Sequence, residues 1–280
     1  MSDSEAGGGV PLIEPAFDST LTSKKRKRGD ETEVDAETKK ALRKAKRKEK
    51  KRLKVKGTAI DEDDLDQELR VNHAFERMDN QLLADYINSR TRHYGKELSS
   101  VELEDRFIPG RAIRNTSSWT KPRTLENLAA FLHKQTKKLK PTPATPTGAP
   151  HTIIVTSSGI RAADAFRALR SGLPEQGMKN PSVAKLFAKH LKVDEQVAQL
   201  TRFKTDFGVG TPDRLSLLLD QKALSTANLK QIVIDVSYID QKKRGILDMR
   251  ELHEPLIKLL LRKEFMGEDK YGGNDLLLFY

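Results

Sequence analysis

The chain has 280 residues, a net charge of +11, 36% hydrophobic and 32% charged residues, and no cysteine. At roughly 100–200 residues per domain this allows one good domain with extensions, or two small ones, and the missing cysteines exclude disulfides and thiolate metal sites. No apolar run approaches the ~18 residues that span a bilayer, so the sequence predicts a soluble, intracellular protein with no membrane partner.

Residues 1 to about 60 combine high charge with almost no aromatics, a composition that predicts disorder. Lys24, Lys25, Arg26, Lys27 and Arg28 form an unbroken basic run, and Lys39–Lys56 holds twelve basic residues against one glutamate. The first run reads as a nuclear import signal. The second, through Arg47, Lys50, Lys51 and Arg52, reads as a further import or RNA-contact segment. Acidic blocks at 30–37 and 61–66 partly offset them. Residues 115–280 alone carry 26 basic and 17 acidic side chains, so the folded part is also suited to a polyanionic partner.

From 65 to 94 the apolar residues follow an imperfect helical period, best in "LLADYI", and Gly95 ends it. The segment after it spaces Val101, Leu103, Phe107, Ile108, Ile113 and Trp119 among polar residues. Residues 61–119 therefore read as a docking arm. The expectation is that Leu82, Leu83, Tyr86 and Ile87 dock on a partner and that Trp119 docks on the protein's own lobe.

"TKPRTLENLAAFL" predicts a helix with Pro122 in its first turn, and Lys140–Pro150 a Pro/Thr linker. Beyond it, "HTIIVTSS" is a buried strand, "IRAADAFRALR" a helix and "SVAKLFAKHL" a second helix. "FGVGT" is a strand feeding the helix "PDRLSLLLDQ". "LKQIVIDV" is a strand, "GILDMRELHEPLIKLLLRKEF" a helix and "NDLLLFY" a last strand. Near-continuous apolar strands alternating with helices predict a parallel α/β sheet covered on both faces, with four strands in 151–280.

Three pieces stand in a recognisable order. "IIVTSSGIRAADAFRAL" resembles the strand–Pro-Thr-Arg-Glu-Leu-Ala–helix of DEAD-box RNA helicases. "VGTPDRL" resembles their Thr-Pro-Gly-Arg, and "IVIDVSYID" the strand that ends in Asp-Glu-Ala-Asp. The resemblance covers about 120–280 and implies a single RecA-like (degenerate P-loop NTPase-like) three-layer lobe, the first of a helicase's two. It also implies RNA contacts by Thr156, Ser157, Arg161, Thr211 and Arg214. Asp213, however, puts a negative charge where the helicases have glycine, and Thr-Pro-Asp is equally an ordinary helix cap.

The nucleotide machinery departs further. A phosphate loop needs a Gly-rich backbone, a Lys for the β/γ phosphates and Ser/Thr for magnesium, and GxxxxGK[ST] occurs nowhere in the 280 residues. In the degenerate motif Asp235, Val236, Ser237, Tyr238, the aspartate survives, but Val236 stands where a glutamate would polarise water. Asp235 also reads as a polar residue closing a buried strand.

With the basic tail, "MDNQLLADYINSRTRHYGKELSSVELEDRFIP", "TSSWTKPRTLENLAAFL", "VAKLFAKHLKVDEQV" and "GVGTPDRL" together resemble the Cms family of small-subunit pre-ribosome factors. That resemblance implies residence in the nucleolus, within the small-subunit processome. It implies pre-rRNA or small nucleolar RNA and processome proteins as partners, and a role in ribosome biogenesis and rRNA processing. No catalytic residue, metal, cofactor or small-molecule substrate is expected. Three readings stay open: a non-catalytic scaffold, a divergent NTPase or half-helicase completed by a partner lobe, and a protein adaptor whose closeness to RNA is incidental.

Overall fold

The computed structural model describes residues 60–136, 146–266 and 276–280, and these described residues belong to one compact unit. The basic runs at 24–28 and 39–56 and most of the Pro/Thr linker lie outside the described residues.

The elements run in chain order β1 (Leu65–Asp66), β2 (Val71–Asn72), α1 (Ala74–Arg77), α2 (Asn80–Tyr94) and α3 (Ser100–Glu104), then α4 (Leu125–Thr136), β3 (Thr152–Val155), α5 (Gly159–Glu175), β4 (Val183–Leu186), α6 (Val193–Arg202) and β5 (Phe207–Gly210), and finally α7 (Pro212–Asp220), β6 (Gln231–Ile234), α8 (Arg250–Leu260), α9 (Lys263–Met266) and β7 (Leu277–Phe279). The main sheet is five-stranded in the order β4-β5-β3-β6-β7, and every pairing in it is parallel. Beyond β7, Ile113 forms a parallel bridge with Leu277, and the Arg114 N–H donates to the Leu277 carbonyl at 2.7 Å.

Strand period two sorts the core into two layers. Ile153, Val155, Ile232, Ile234, Leu277 and Phe279 face one way, together with α7 and α8. Ile154, Val209, Val233 and Leu278 face the other, together with Trp119, α4 and α5. Both faces are covered, which is why the strands lack polar alternation. The α/β fold class is therefore as expected.

Several element assignments differ from the sequence reading. "SVAKLFAKHL" is an edge strand, not a helix. Val183, Leu186 and Phe187 sit at helical spacing, but Val183–Leu186 buries Ala184 and Leu186 and exposes Lys185, the alternation of a strand. The neighbouring strand decides the matter. A Cβ on Gly210 would lie 2.3 Å from the Leu186 carbonyl oxygen, so the bare glycine lets β4 approach β5. The sheet thus gains a strand over the expected four. Helix α6, not anticipated, follows with Asp194 and Glu195 in its first turn, where acidic groups suit the helix dipole. Helix α4 starts at Leu125, and Pro122 precedes it.

The arm is the larger correction. Residues 65–94 are not one helix but a hairpin, a short helix and α2. The Asp66 carboxylate accepts from the N–H groups of Glu68 and Leu69, and Arg70 adopts φ 54°, which turns the chain. The expected partner docking of Leu83, Tyr86 and Ile87 does not hold: they are 3%, 2% and 0% exposed and share the core layer of α7 and α8. Burying one such side chain is worth roughly 1.5–3 kcal/mol, and three on one helix face hold α2 to the lobe. Three polar contacts fix its position. The Tyr86 hydroxyl and Arg90 both reach Asp248 Oδ1, at 3.1 and 2.6 Å, and Thr91 Oγ1 lies 2.9 Å from His253 Nε2. Only Leu82, at 36% exposure, faces outward. Trp119 packs on the lobe, edge-on to Phe131.

Candidate functional site

In open parallel sheets, ligands bind in the crevice beyond the carboxyl ends of the strands. That rim holds Thr156, Ser157, Thr211, Asp235, Val236, Ser237 and Tyr238, so the topology gathers the three motif-like segments in one place.

Arg161, in the first turn of α5, reaches across to the end of β6. Its Nε donates to Asp235 Oδ2 at 2.7 Å and its Nη2 to Oδ1 at 3.2 Å. The pair is nearly sealed, with side chains 11% and 5% exposed, and the guanidinium lies 4.1 Å from the Tyr238 ring centre. Burial lowers the Arg161 pKa, but the charge and hydrogen bond of Asp235 more than offset it, so the group ends above its usual range. Asp235 is thus a paired strand-end carboxylate, and Arg161 is committed within the lobe.

Thr156 is buried, and its hydroxyl donates to the Gly210 and Ser158 carbonyls. Arg214 is also committed: its Nη1 donates to the Leu191 carbonyl at 3.1 Å and to Gln196 Oε1 at 2.7 Å. Gln196 in turn donates to the Lys185 and Phe187 carbonyls. Thr211 caps α7 without a side-chain hydrogen bond, Pro212 occupies the first turn, and Asp213 is exposed. Of the five rim residues expected at RNA, only Ser157 and Thr211 keep their side-chain hydrogen-bonding groups unused among the described residues.

Two features escaped the sequence reading. The first is the hairpin, which closes over the motif. The Asn72 N–H donates to the Ser237 carbonyl at 2.7 Å, the Ile239 N–H donates to the Arg70 carbonyl at 3.1 Å, and Val71 bridges Tyr238 in antiparallel sense. The second is the run 114–124. Its setting, after a strand-like bridge and before helix α4, is the strand–loop–helix context of a phosphate loop. Arg123 fills its interior at 0% exposure. The guanidinium donates to the Phe279 carbonyl at 2.7 Å and to Thr116 Oγ1 at 3.1 Å, and burial pulls its pKa down to about 10. The Tyr280 hydroxyl donates to the Thr124 carbonyl at 2.7 Å, and its ring lies 4.6 Å from Phe131. A lone arginine before an apolar helix carries no sequence signal of such burial. Among the described residues, no group of three or more His, Asp or Glu gathers as a metal site.

A five-stranded parallel sheet covered by helices on both faces, with the three motif-like segments at its strand ends and the hairpin bonded to the last of them, defines a RecA-like α/β lobe. Residues 19–280 match the family described as CMS1, a U3-containing 90S pre-ribosomal complex subunit, and the chain belongs to that family. Protein CMS1 of Chaetomium thermophilum is 47% identical over 95% of this chain and 100% of its own length. Protein cms1 of Schizosaccharomyces pombe is 30% identical over 67% of this chain and 66% of its own. Among solved structures, a DEAD box protein from Methanococcus jannaschii shares 19% identity over 55% of this chain and 36% of its own, with a TM-score of 0.37.

Proposed function

We propose that this chain acts as a non-catalytic, helicase-like module of the small-subunit pre-ribosome, serving pre-rRNA processing and assembly in the nucleolus. The observation that carries this reading is the closed state of Asp235. Phosphoryl transfer is positioning and charge stabilisation around a metal-bound phosphate. The one carboxylate of the motif is instead spent on Arg161 with both oxygens, and residues 70–72 are bonded over the segment that follows it. Arg123 and Tyr280 fill the run where phosphates would need free backbone N–H groups.

In this reading the lobe contributes shape and protein contacts to the processome, and RNA affinity falls on the tail. Lys24–Arg28 serves import, and Arg47, Lys50, Lys51 and Arg52 hold pre-rRNA or small nucleolar RNA by phosphate contacts. The lobe's arginines Arg161 and Arg214 position the rim, leaving Ser157 and Thr211 as its remaining phosphate-facing groups.

Titration calorimetry with Mg-ATP tests the first part. No heat of binding is expected, and a micromolar Kd overturns the reading. Salt dependence tests the second. Removing residues 1–60 should flatten the fall of log affinity with log salt, which runs at about 0.7 per phosphate neutralised on single strands. An unchanged slope would move the RNA site to the lobe.

A further inference from the structure

Arg123 is 0% exposed, yet it makes no contact ion pair with a described residue. Its guanidinium donates to two neutral oxygens, the Phe279 carbonyl at 2.7 Å and Thr116 Oγ1 at 3.1 Å, and its Nε is unmatched. A buried cation is costly unless an opposite charge compensates it. Arg161 shows the direct solution, with Asp235 at 2.7 Å. Arg123 needs another.

The compensating charge is on the arm. Burial pulls the Arg123 pKa down, and the Glu76 carboxylate, in α1, pulls against that fall. Glu76 acts on a second group of the same neighbourhood. Burial and the charge of Asp235 push the Tyr280 hydroxyl pKa up, Arg123 and Arg161 oppose the rise, and Glu76 adds to it. Hydrogen bonds give this neighbourhood its geometry. Arg123 holds the Phe279 carbonyl, and the next residue, Tyr280, accepts at its carbonyl from the Ser237 N–H at 2.9 Å. The Ser237 carbonyl in turn accepts from the Asn72 N–H at 2.7 Å, and Asn72 leads through His73 into α1.

The hairpin and α1 are tied to each other. The His73 N–H donates to the Asp64 carbonyl at 2.8 Å, Arg77 pairs with the Asp64 carboxylate, and His73 Nδ1 lies 3.0 Å from Glu76 Oε1. Phe75, 2% exposed, packs edge-on to Tyr86.

We propose that Glu76 is the counter-charge of Arg123, and that this pair latches the hairpin and α1, as one strap, over residues 237–239. The attraction acts across the boundary between arm and lobe, through an interior where charges are screened little. Lifting the strap strips Arg123 of its anion and bares the backbone beside Asp235, so hairpin and α1 stay down or lift together. The latch does not rest on the lobe being non-catalytic, since an active lobe would be shut by it in the same way.

Hydrogen exchange on the full chain tests this, with the Asn72 and Ile239 amides, which bond across the boundary, read against the Ile154 amide in β3. Glu76→Gln should speed exchange at Asn72 and Ile239 at least roughly tenfold more than at Ile154, and the charge-keeping Glu76→Asp should speed it less. On an Arg123→Met background, Glu76→Gln should add less than about threefold, since no cation is left to compensate. No acceleration, equal acceleration at all three amides, or an undiminished effect in Arg123→Met overturns the proposal. Where Arg123→Met does not fold, His73→Asn decides: the Glu76→Gln effect must persist on that background, and its disappearance assigns the carboxylate to His73 and overturns the latch.

Discussion

The motif rim and the α2–α8 seam are both built on buried polar groups, and they use them in opposite ways. At the rim, the guanidinium charges of Arg161, Arg214 and Arg123 all find partners inside the lobe, on Asp235, on Gln196 and the Leu191 carbonyl, and on the Phe279 carbonyl and Thr116, although Arg123 Nε and the Ser237 hydroxyl stay unmatched. At the seam, Arg90 and Asp248 close on each other, yet Arg106 and Lys258, which line a cavity there, make no side-chain hydrogen bond or contact ion pair with a described residue. The lesson is that position at a sheet's carboxyl ends does not by itself make a ligand site. What matters is how much hydrogen-bonding and charge capacity the fold leaves unspent.

The contrast is broken most severely at the rim. Asp235→Ala leaves Arg161 buried without its counter-charge and should cost about 3–5 kcal/mol, whereas replacing the pair together by Asp235→Leu/Arg161→Met should cost far less. Denaturant unfolding of the three proteins checks this, and equal losses in both variants would show that the rim is not a closed ion pair.

At the seam the sensitivity is to acid. Burial, with a contribution from Arg90, pulls the His253 pKa from 6.5 down to about 4. The unfolded chain therefore takes up this proton before the folded one does. Stability from this group is complete above pH 6.5 and falls as pH drops toward 4, by about 3 kcal/mol in all at 1.36 kcal/mol per pH unit. His253→Gln should flatten that part of the stability–pH curve.

The arm gives two smaller effects that separate its inner face from its outer one. Ile87→Val should cost about 1 kcal/mol, read as a lower denaturant midpoint at unchanged slope. Leu82→Ala, on the exposed side of the same helix, should stay within about 0.5 kcal/mol. A large loss at Leu82 would mean that α2 packs on both faces.

How far the sequence discloses this molecule varies with the physics of each part. β3, β6 and β7 are legible because buried parallel strands write themselves as near-continuous Val/Ile/Leu runs, and β5, "FGVG", is legible from its place just before the helix start at Thr211 and Pro212. β4 is not, since "VAKLF" fits both periods and only the Gly208–Gly210 strand beside it selects the extended form. The apolar face of α2 is legible, but its destination is not: Leu83, Tyr86 and Ile87 would look the same against a partner as against α8. At the site, Asp235 and Arg161 could each be picked out, but their pairing depends on the distance between the end of β6 and the first turn of α5, which no spacing records. Arg123 and His253 were missed because nothing about a lone arginine or histidine in sequence announces burial.

The bonds between arm and lobe also set a clock. Thr91 and His253 are 162 positions apart, and the hairpin likewise meets its partner strand end only late in the chain. At about 5–20 residues per second of synthesis, α2 waits roughly ten to thirty seconds for α8 to leave the ribosome, with Tyr86 and Ile87 uncovered. Contacts of such long range are slow to close, so the newborn chain spends its first half-minute as a potential client for any chaperone that reads exposed apolar helices.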